Sequence, residues 1–145
     1  MIMVLAADHG GYNLKEEIKK YLKDTRPEIK IVDLGANSNE PVDYPIYGKA
    51  AAEAVANKKA DLGIVCCGTG IGISIAANKV KGIRCGLVTS VETAELTKKH
   101  NNANMIAMGG RTTDTELAKK MVDAWLDSEF MGMHHIKRIE MLDNM

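Results

Sequence analysis

The sequence predicts an α/β protein, a three-layer α/β/α sandwich on a five-stranded parallel sheet. Three observations carry that prediction. Short, continuously apolar runs bounded by turn residues recur along the chain, and each is followed by an amphipathic or alanine-rich stretch of helical length. Strands apolar on both faces belong to a sheet covered on both sides, and parallel neighbours need a crossover helix between them. Size is the third observation: 145 residues, 46% hydrophobic and 26% charged with only 3 prolines, suit one compact domain over 1–145 and argue against disorder.

In chain order, Ile2 to Ala7 is the first strand, and Asn13 to Asp24 a helix with Leu14, Ile18, Tyr21 and Leu22 on one side. Ile29 to Leu34 is a second strand ending at Gly35. A polar loop with Pro41 and Pro45 then leads into an alanine-rich helix that runs to about Asn57. Leu62 to Cys67 is a third strand, Ile71 to Lys79 a short helix, Ile83 to Val88 a fourth strand and Val91 to Lys99 a helix. Met105 to Met108 is the fifth strand, Thr113 to Leu126 a helix, and His134 to Leu142 a terminal helix.

Charge and cysteine content exclude several classes of function. Nineteen Lys and Arg balance nineteen Asp and Glu, so no long-range field gathers nucleic acid or an anionic membrane, although a few convergent cations can still hold a small anion. The uncharged, largely apolar stretch Leu62 to Ala77 is shorter than the ~18 residues of a membrane span and is broken by Gly68, Gly70 and Gly72. No basic segment precedes the first apolar run, so the expected location is cytoplasmic. Three cysteines without a CxxC support neither a disulfide framework nor a zinc site, and no histidine spacing suggests a metal.

In parallel sheets ligands bind outside the carboxyl ends of the strands. That rule selects Asp8-His9-Gly10-Gly11, Cys67-Gly68-Thr69-Gly70-Ile71-Gly72 and Gly109-Gly110-Arg111. The central loop puts three glycines where a strand turns into a helix. Such a loop either offers backbone N–H groups to an anion or oxyanion, or is a tight turn that needs small residues for packing. It is no P-loop, since no Lys-Ser/Thr pair follows, and Ile73 stands where GxGxxG requires glycine. Cys67, at the lip of the loop, is either a base whose thiolate the helix N-terminus favours or a small core residue. Because alternate strand residues face opposite sides, at most one of Cys66 and Cys67 points at a ligand. His100 reads equally as a catalyst or as a cation capping a helix end, and Asp8 as a ligand contact or a cap.

Ala7 to Gly11, Asp43-Tyr44-Pro45, the run Cys67 to Lys79 and His100-Asn101 before Asn104 closely resemble the ribose-5-phosphate isomerase B family of sugar-phosphate isomerases. Gly109-Gly110-Arg111, Asp123 to Leu126, and His135 with Arg138-Ile139-Glu140 follow in the same order, so the likeness covers nearly the full length and implies a Rossmann-like sheet. It also implies cofactor-free and metal-free interconversion of ribose 5-phosphate and ribulose 5-phosphate through an enediolate. Cys67 matches the base, Gly68, Thr69, Gly70, Ile71 and Gly72 the oxyanion hole, and His100 the residue that assists ring opening, with Asn101 beside it. Asp8, His9 and Tyr44 match substrate contacts, and Arg111 and Arg138 phosphate ligands, with His134 and His135 in the same terminal segment. Where many relatives carry an arginine four residues before Arg138, this chain has His134. The implied partners are a phosphorylated sugar and a second copy of the chain, in a homodimer whose sites draw Cys67 and His100 from different subunits; a dimer of dimers stays open. So does the choice between a pentose phosphate and galactose or allose 6-phosphate. A nucleotide-binding module and a thiol redox enzyme compete from outside the family, but the first lacks a phosphate-loop lysine and the second a resolving cysteine.

Overall fold

A computed structural model describes all residues, 1–145. The elements follow the apolar runs: β1 (Ile2–Ala7), α1 (Tyr12–Thr25), β2 (Lys30–Asp33), α2 (Tyr44–Ala56), β3 (Leu62–Cys67), α3 (Ile71–Asn78), β4 (Cys85–Leu87), α4 (Val91–Asn101), β5 (Met105–Gly109), α5 (Thr115–Asp127) and α6 (His134–Asp143). All strands are parallel, in the order β2-β1-β3-β5-β4. No helix is long and apolar enough to cross a membrane.

Handedness decides which face each helix covers, because a parallel crossover is right-handed. The steps from β1 to β2 and from β4 to β5 run one way across the sheet, and those from β2 to β3 and β3 to β4 run the other. α1 and α4 therefore lie on one face, α2 and α3 on the opposite one. Two cores result. Met3, Leu5, Ile64, Cys66, Ile106 and Met108 pack with α1, α5 and Ala94 of α4, whereas Val4, Ala6, Val65, Cys67, Met105 and Ala107 pack with α2 and α3. The period of two along each strand assigns these sets. Each large aliphatic buried this way contributes about 1.5–3 kcal/mol.

β4 is shorter than the Ile83 to Val88 that the sequence suggests, because it is an edge strand with only β5 to pair with. Its outer edge is covered by a side chain: Asn78 donates to the Cys85 carbonyl (2.9 Å) and accepts from the Cys85 N–H (2.8 Å). On α1, Leu14, Ile18 and Leu22 are buried as expected, but Tyr21 is half-buried and donates its hydroxyl to Asp123 of α5. Lys15 is buried in its place. Its ammonium reaches both Asp33 oxygens (2.7 and 2.8 Å) and the Ala36 carbonyl (2.8 Å), tying the long β2–α2 loop to α1. Burial opposes ionisation of Asp33, but hydrogen bonds from Lys15, Lys19 and the Gly35 N–H outweigh it and hold the carboxyl below its usual range.

Candidate active site

β1 sends its helix to one face of the sheet and β3 to the other, so a crevice opens outside their carboxyl ends. β5, on the far side of β3, feeds α5 to the α1 face, which leaves the β3 loop flanked on both sides. The three loops are joined backbone to backbone. Asp8 N–H donates to the Cys66 carbonyl (3.2 Å), Gly110 N–H to Cys67 (2.8 Å) and Arg111 N–H to Gly68 (2.9 Å). A Cβ at Gly10 would lie 2.9 Å from the Gly68 nitrogen, and one at Gly110 2.3 Å from the Gly10 oxygen. Close packing thus accounts for these glycines. It also brings three strand ends into one patch. Buried Asp8 shapes its own loop, with Oδ1 accepting from the N–H groups of Gly10 (2.8 Å) and Gly11 (3.1 Å); Gly11 takes the cap position of α1.

The two neighbouring cysteines divide between the faces. Cys66 sits in the core under α1 and α5, where burial pushes its thiol well above the ordinary range. Cys67 sits on the α2 and α3 face at the strand end, and its Sγ accepts the Gly70 N–H at 3.2 Å. The sulfur thus faces a backbone donor of the loop that follows it. The left-handed conformation of Gly70 (φ 80°) allows its amide to turn back in this way. Cys85, buried near the sheet edge, is pushed up to about 12 by desolvation and stays a thiol.

Two amides of the glycine loop are engaged within the protein: Gly70 with sulfur, and Ile71 with the Thr69 hydroxyl (3.2 Å). The N–H groups of Gly68, Thr69 and Gly72 donate to no protein group. Beside them lies Arg111, exposed and unpaired, so close that a Cβ on Gly68 would meet its Nη1 at 3.0 Å. The Tyr44 ring, at the start of α2, lies against Gly72. His9 completes the group: its Nδ1 accepts the Val42 N–H (3.1 Å), which leaves Nε2 as the protonated donor of the neutral ring. Asp8, His9, Tyr44, Cys67 to Gly72 and Arg111 are therefore brought together.

His100, Asn101, His134, His135 and Arg138 are not part of that group. α4 starts beside the carboxyl end of β4 and runs back along the sheet, so His100 lies near the amino ends of the strands. A six-residue strand at roughly 3.3 Å per residue puts about 16 Å between the two ends. At this far end the His100 and His135 rings stack (centroids 4.5 Å, 13° between planes), and His134 tilts against His135 at 4.1 Å. Burial, then the nearby His134, His100 and Arg138, lower the proton affinity of His135 below the usual histidine range. Arg138, one turn further along α6, is exposed and bonded to nothing. Clefts of about 420 and 350 Å³ open at this end, and neither touches Cys67. No three His, Cys, Asp or Glu side chains gather into a cluster able to hold a metal. Sequence reasoning missed two participants, the Val42 amide that orients His9 and Arg84, which binds the end of α4. Neither leaves a local signal.

The sequence pattern of the family described as Ribose/Galactose Isomerase matches residues 3–142. The chain belongs to this family. As a ribose/galactose isomerase it is a sugar-phosphate isomerase, and its relatives of known structure share the whole fold. It is similar to ribose-5-phosphate isomerase B of Clostridium thermocellum, with 46% identity and a TM-score of 0.96 over 99% of this chain and 96% of that one. The Escherichia coli protein named ribose-5-phosphate isomerase B is 43% identical over 95% of this chain and 91% of its own length. A third relative, ribose-5-phosphate isomerase B of Mycoplasma genitalium, was solved with bound ribulose 5-phosphate; it is 39% identical, with a TM-score of 0.92 over 99% of this chain and 94% of that one.

Proposed function

We propose that this isomerase interconverts ribose 5-phosphate and ribulose 5-phosphate, with Cys67 as the base. The supporting observation is the position of the Cys67 sulfur, which accepts one amide and lies in the same loop as three unengaged ones, with the free guanidinium of Arg111 beside Gly68. The Cys67 thiolate takes the proton from C2 of the open-chain aldose. The C2 electron pair forms the C1–C2 double bond, and the C1 carbonyl pair moves onto oxygen, where N–H groups of the Gly68 to Gly72 loop stabilise the charge. The thiol then returns its proton to C1 while the C2 hydroxyl proton passes to the C1 oxygen, which leaves the ketose with a C2 carbonyl and a C1 hydroxyl and restores the thiolate. His100 transfers the proton that opens the sugar ring, and Asn101, Asp8, His9 and Tyr44 contact the sugar. Arg111 and Arg138 fork onto the phosphate, with His134 and His135 alongside.

One chain keeps Cys67 and His100 at opposite ends of the sheet, so this reading requires a second copy. A two-fold dimer that lays the amino-end cluster of one subunit over the Cys67 loops of the other forms two equivalent sites. Exposed Ile71 and Ile75 on α3, with Val91 on α4, provide apolar surface beside the loops for such a partner.

A panel of phosphorylated pentoses and hexoses, assayed with and without EDTA, tests the proposal. Ribose 5-phosphate is expected to turn over fastest and equally well with chelator. The family description also includes galactose, and faster turnover of galactose or allose 6-phosphate would transfer the same machinery to a hexose. Activity lost to EDTA and restored by a divalent ion would overturn the metal-free mechanism. For the phosphate ligands, Arg138→Ala should raise KM for the phosphorylated sugar roughly tenfold or more, as expected for a lost charge-assisted hydrogen bond. An equal change with an unphosphorylated analogue would remove Arg138 from the phosphate.

A further inference from the structure

α6 is an arm with few attachments. Of its ten residues only His135 is buried, and its apolar side chains Ile136, Met141 and Leu142 are about half exposed. Three polar or ring contacts tie it and the segment before it to the carboxyl end of α4 and to Arg84 beside that end. The Met131 N–H donates to the Lys99 carbonyl (3.0 Å), the His135 ring stacks on His100, and the Asp143 carboxylate accepts Arg84 Nη1 through both oxygens (2.6 and 2.7 Å). Apart from the Asn144 amide that caps the helix's own end, the last is the only side-chain hydrogen bonding between α6 and the rest of the chain.

Arg84 has further bonds. It lies just ahead of β4, largely buried, and its Nε donates to the Asn101 carbonyl (2.9 Å) and its Nη2 to the Asn102 carbonyl (3.2 Å). These carbonyls end α4, immediately after His100, where helix carbonyls lack intrahelical donors and a cation is favoured. One guanidinium thus joins the backbone next to His100 to the far end of the helix that carries His135 and Arg138. A lysine has no fixed fork to meet three acceptors in different directions. Asp143 sits at the carboxyl end of α6, where the helix dipole disfavours a carboxylate, so Arg84 is also what makes that position tolerable.

We infer that Arg84 and Asp143 are positioning residues that set the angle of α6 on α4, and so the place from which Arg138 meets the substrate phosphate. The inference rests on the reading of Arg138 as a phosphate ligand. It assigns neither residue to the chemistry. Loss of Asp143 leaves the Arg84 bonds to the α4 carbonyls intact and frees only the end of the arm.

The test is a kinetic cycle on the full-length enzyme with Asp143→Ala, Arg138→Ala and the double variant, together with Asp143→Glu. Asp143→Ala should raise KM for ribose 5-phosphate about fivefold and the inhibition constant of inorganic phosphate in parallel, with kcat within about twofold of native. Asp143→Glu, which keeps a carboxylate for Arg84, should recover most of that loss. The double variant should be little worse than Arg138→Ala alone, because both changes remove the same phosphate contact. If Arg138→Ala raises KM and Asp143→Ala does not, or if the two effects multiply in full, the positioning role is wrong while the phosphate assignment stands. If Arg138→Ala itself leaves KM unchanged, the phosphate reading fails, and this inference fails with it.

Discussion

Cys67→Ala is expected to lower kcat by about two to four orders of magnitude, the range for removing a positioned base, while the protein stays folded. The neighbouring Cys66→Ala should keep most of the activity. The contrast arises because the two thiols are adjacent in sequence and opposite in space. Cys66 packs among Leu5, Ile64 and Met108, where desolvation keeps it protonated and no substrate reaches it. Its truncation costs packing, on the order of 1 kcal/mol, and appears as a lower melting temperature rather than a lower rate. Cys67 lies at the strand end in a loop that supplies its own amide donor. The binding groups survive its truncation, so a phosphorylated inhibitor should still bind Cys67→Ala with near-native affinity. Steady-state assays with calorimetric binding separate the cases. An active Cys67→Ala beside an inactive Cys66→Ala would overturn the assignment of faces and base together.

The strands were legible because each is short, apolar and closed by a turn residue, and the helices because their apolar positions recur at helical spacing. β4 was not legible in extent, since Ile83, Arg84 and Val88 match a strand pattern that an edge position with one neighbour does not sustain. Lys15 falls outside the apolar set Leu14, Ile18, Tyr21 and Leu22; its partner Asp33 lies 18 residues away, and nothing local announces a buried ammonium. The same limit governed the site. Asp8, Cys67 and Arg111 follow strands directly, so the rule about carboxyl ends finds them. His100 ends a helix that runs back along the sheet, and the rule is silent on it; its inclusion came from family likeness. Arg84 acts through backbone carbonyls and one carboxylate 59 residues on, a relation that only the folded chain creates.

Because Cys67 and His100 occupy opposite ends of one subunit, their separation leads to a result that a site within one chain cannot produce. Cys67→Ala and His100→Gln homodimers should each be nearly inactive. In the proposed dimer each site takes its sulfur from one subunit and its imidazole from the other, so a mixed dimer would hold one site with both defects and one with neither. With random subunit exchange half of the dimers are mixed and half of their sites intact, so activity should rise on mixing to roughly a quarter of native. Native mass spectrometry measures the mixed fraction independently, and activity should follow it linearly as the mixing ratio is varied. The Cys67→Ala/His100→Gln double variant mixed with native chains is the control. Its mixed dimers carry one defect in each site, so activity should fall below the average of the two homodimers. Mixed dimers that form without any recovery would place both residues in a site within one subunit, contrary to the distance between the two ends of the sheet.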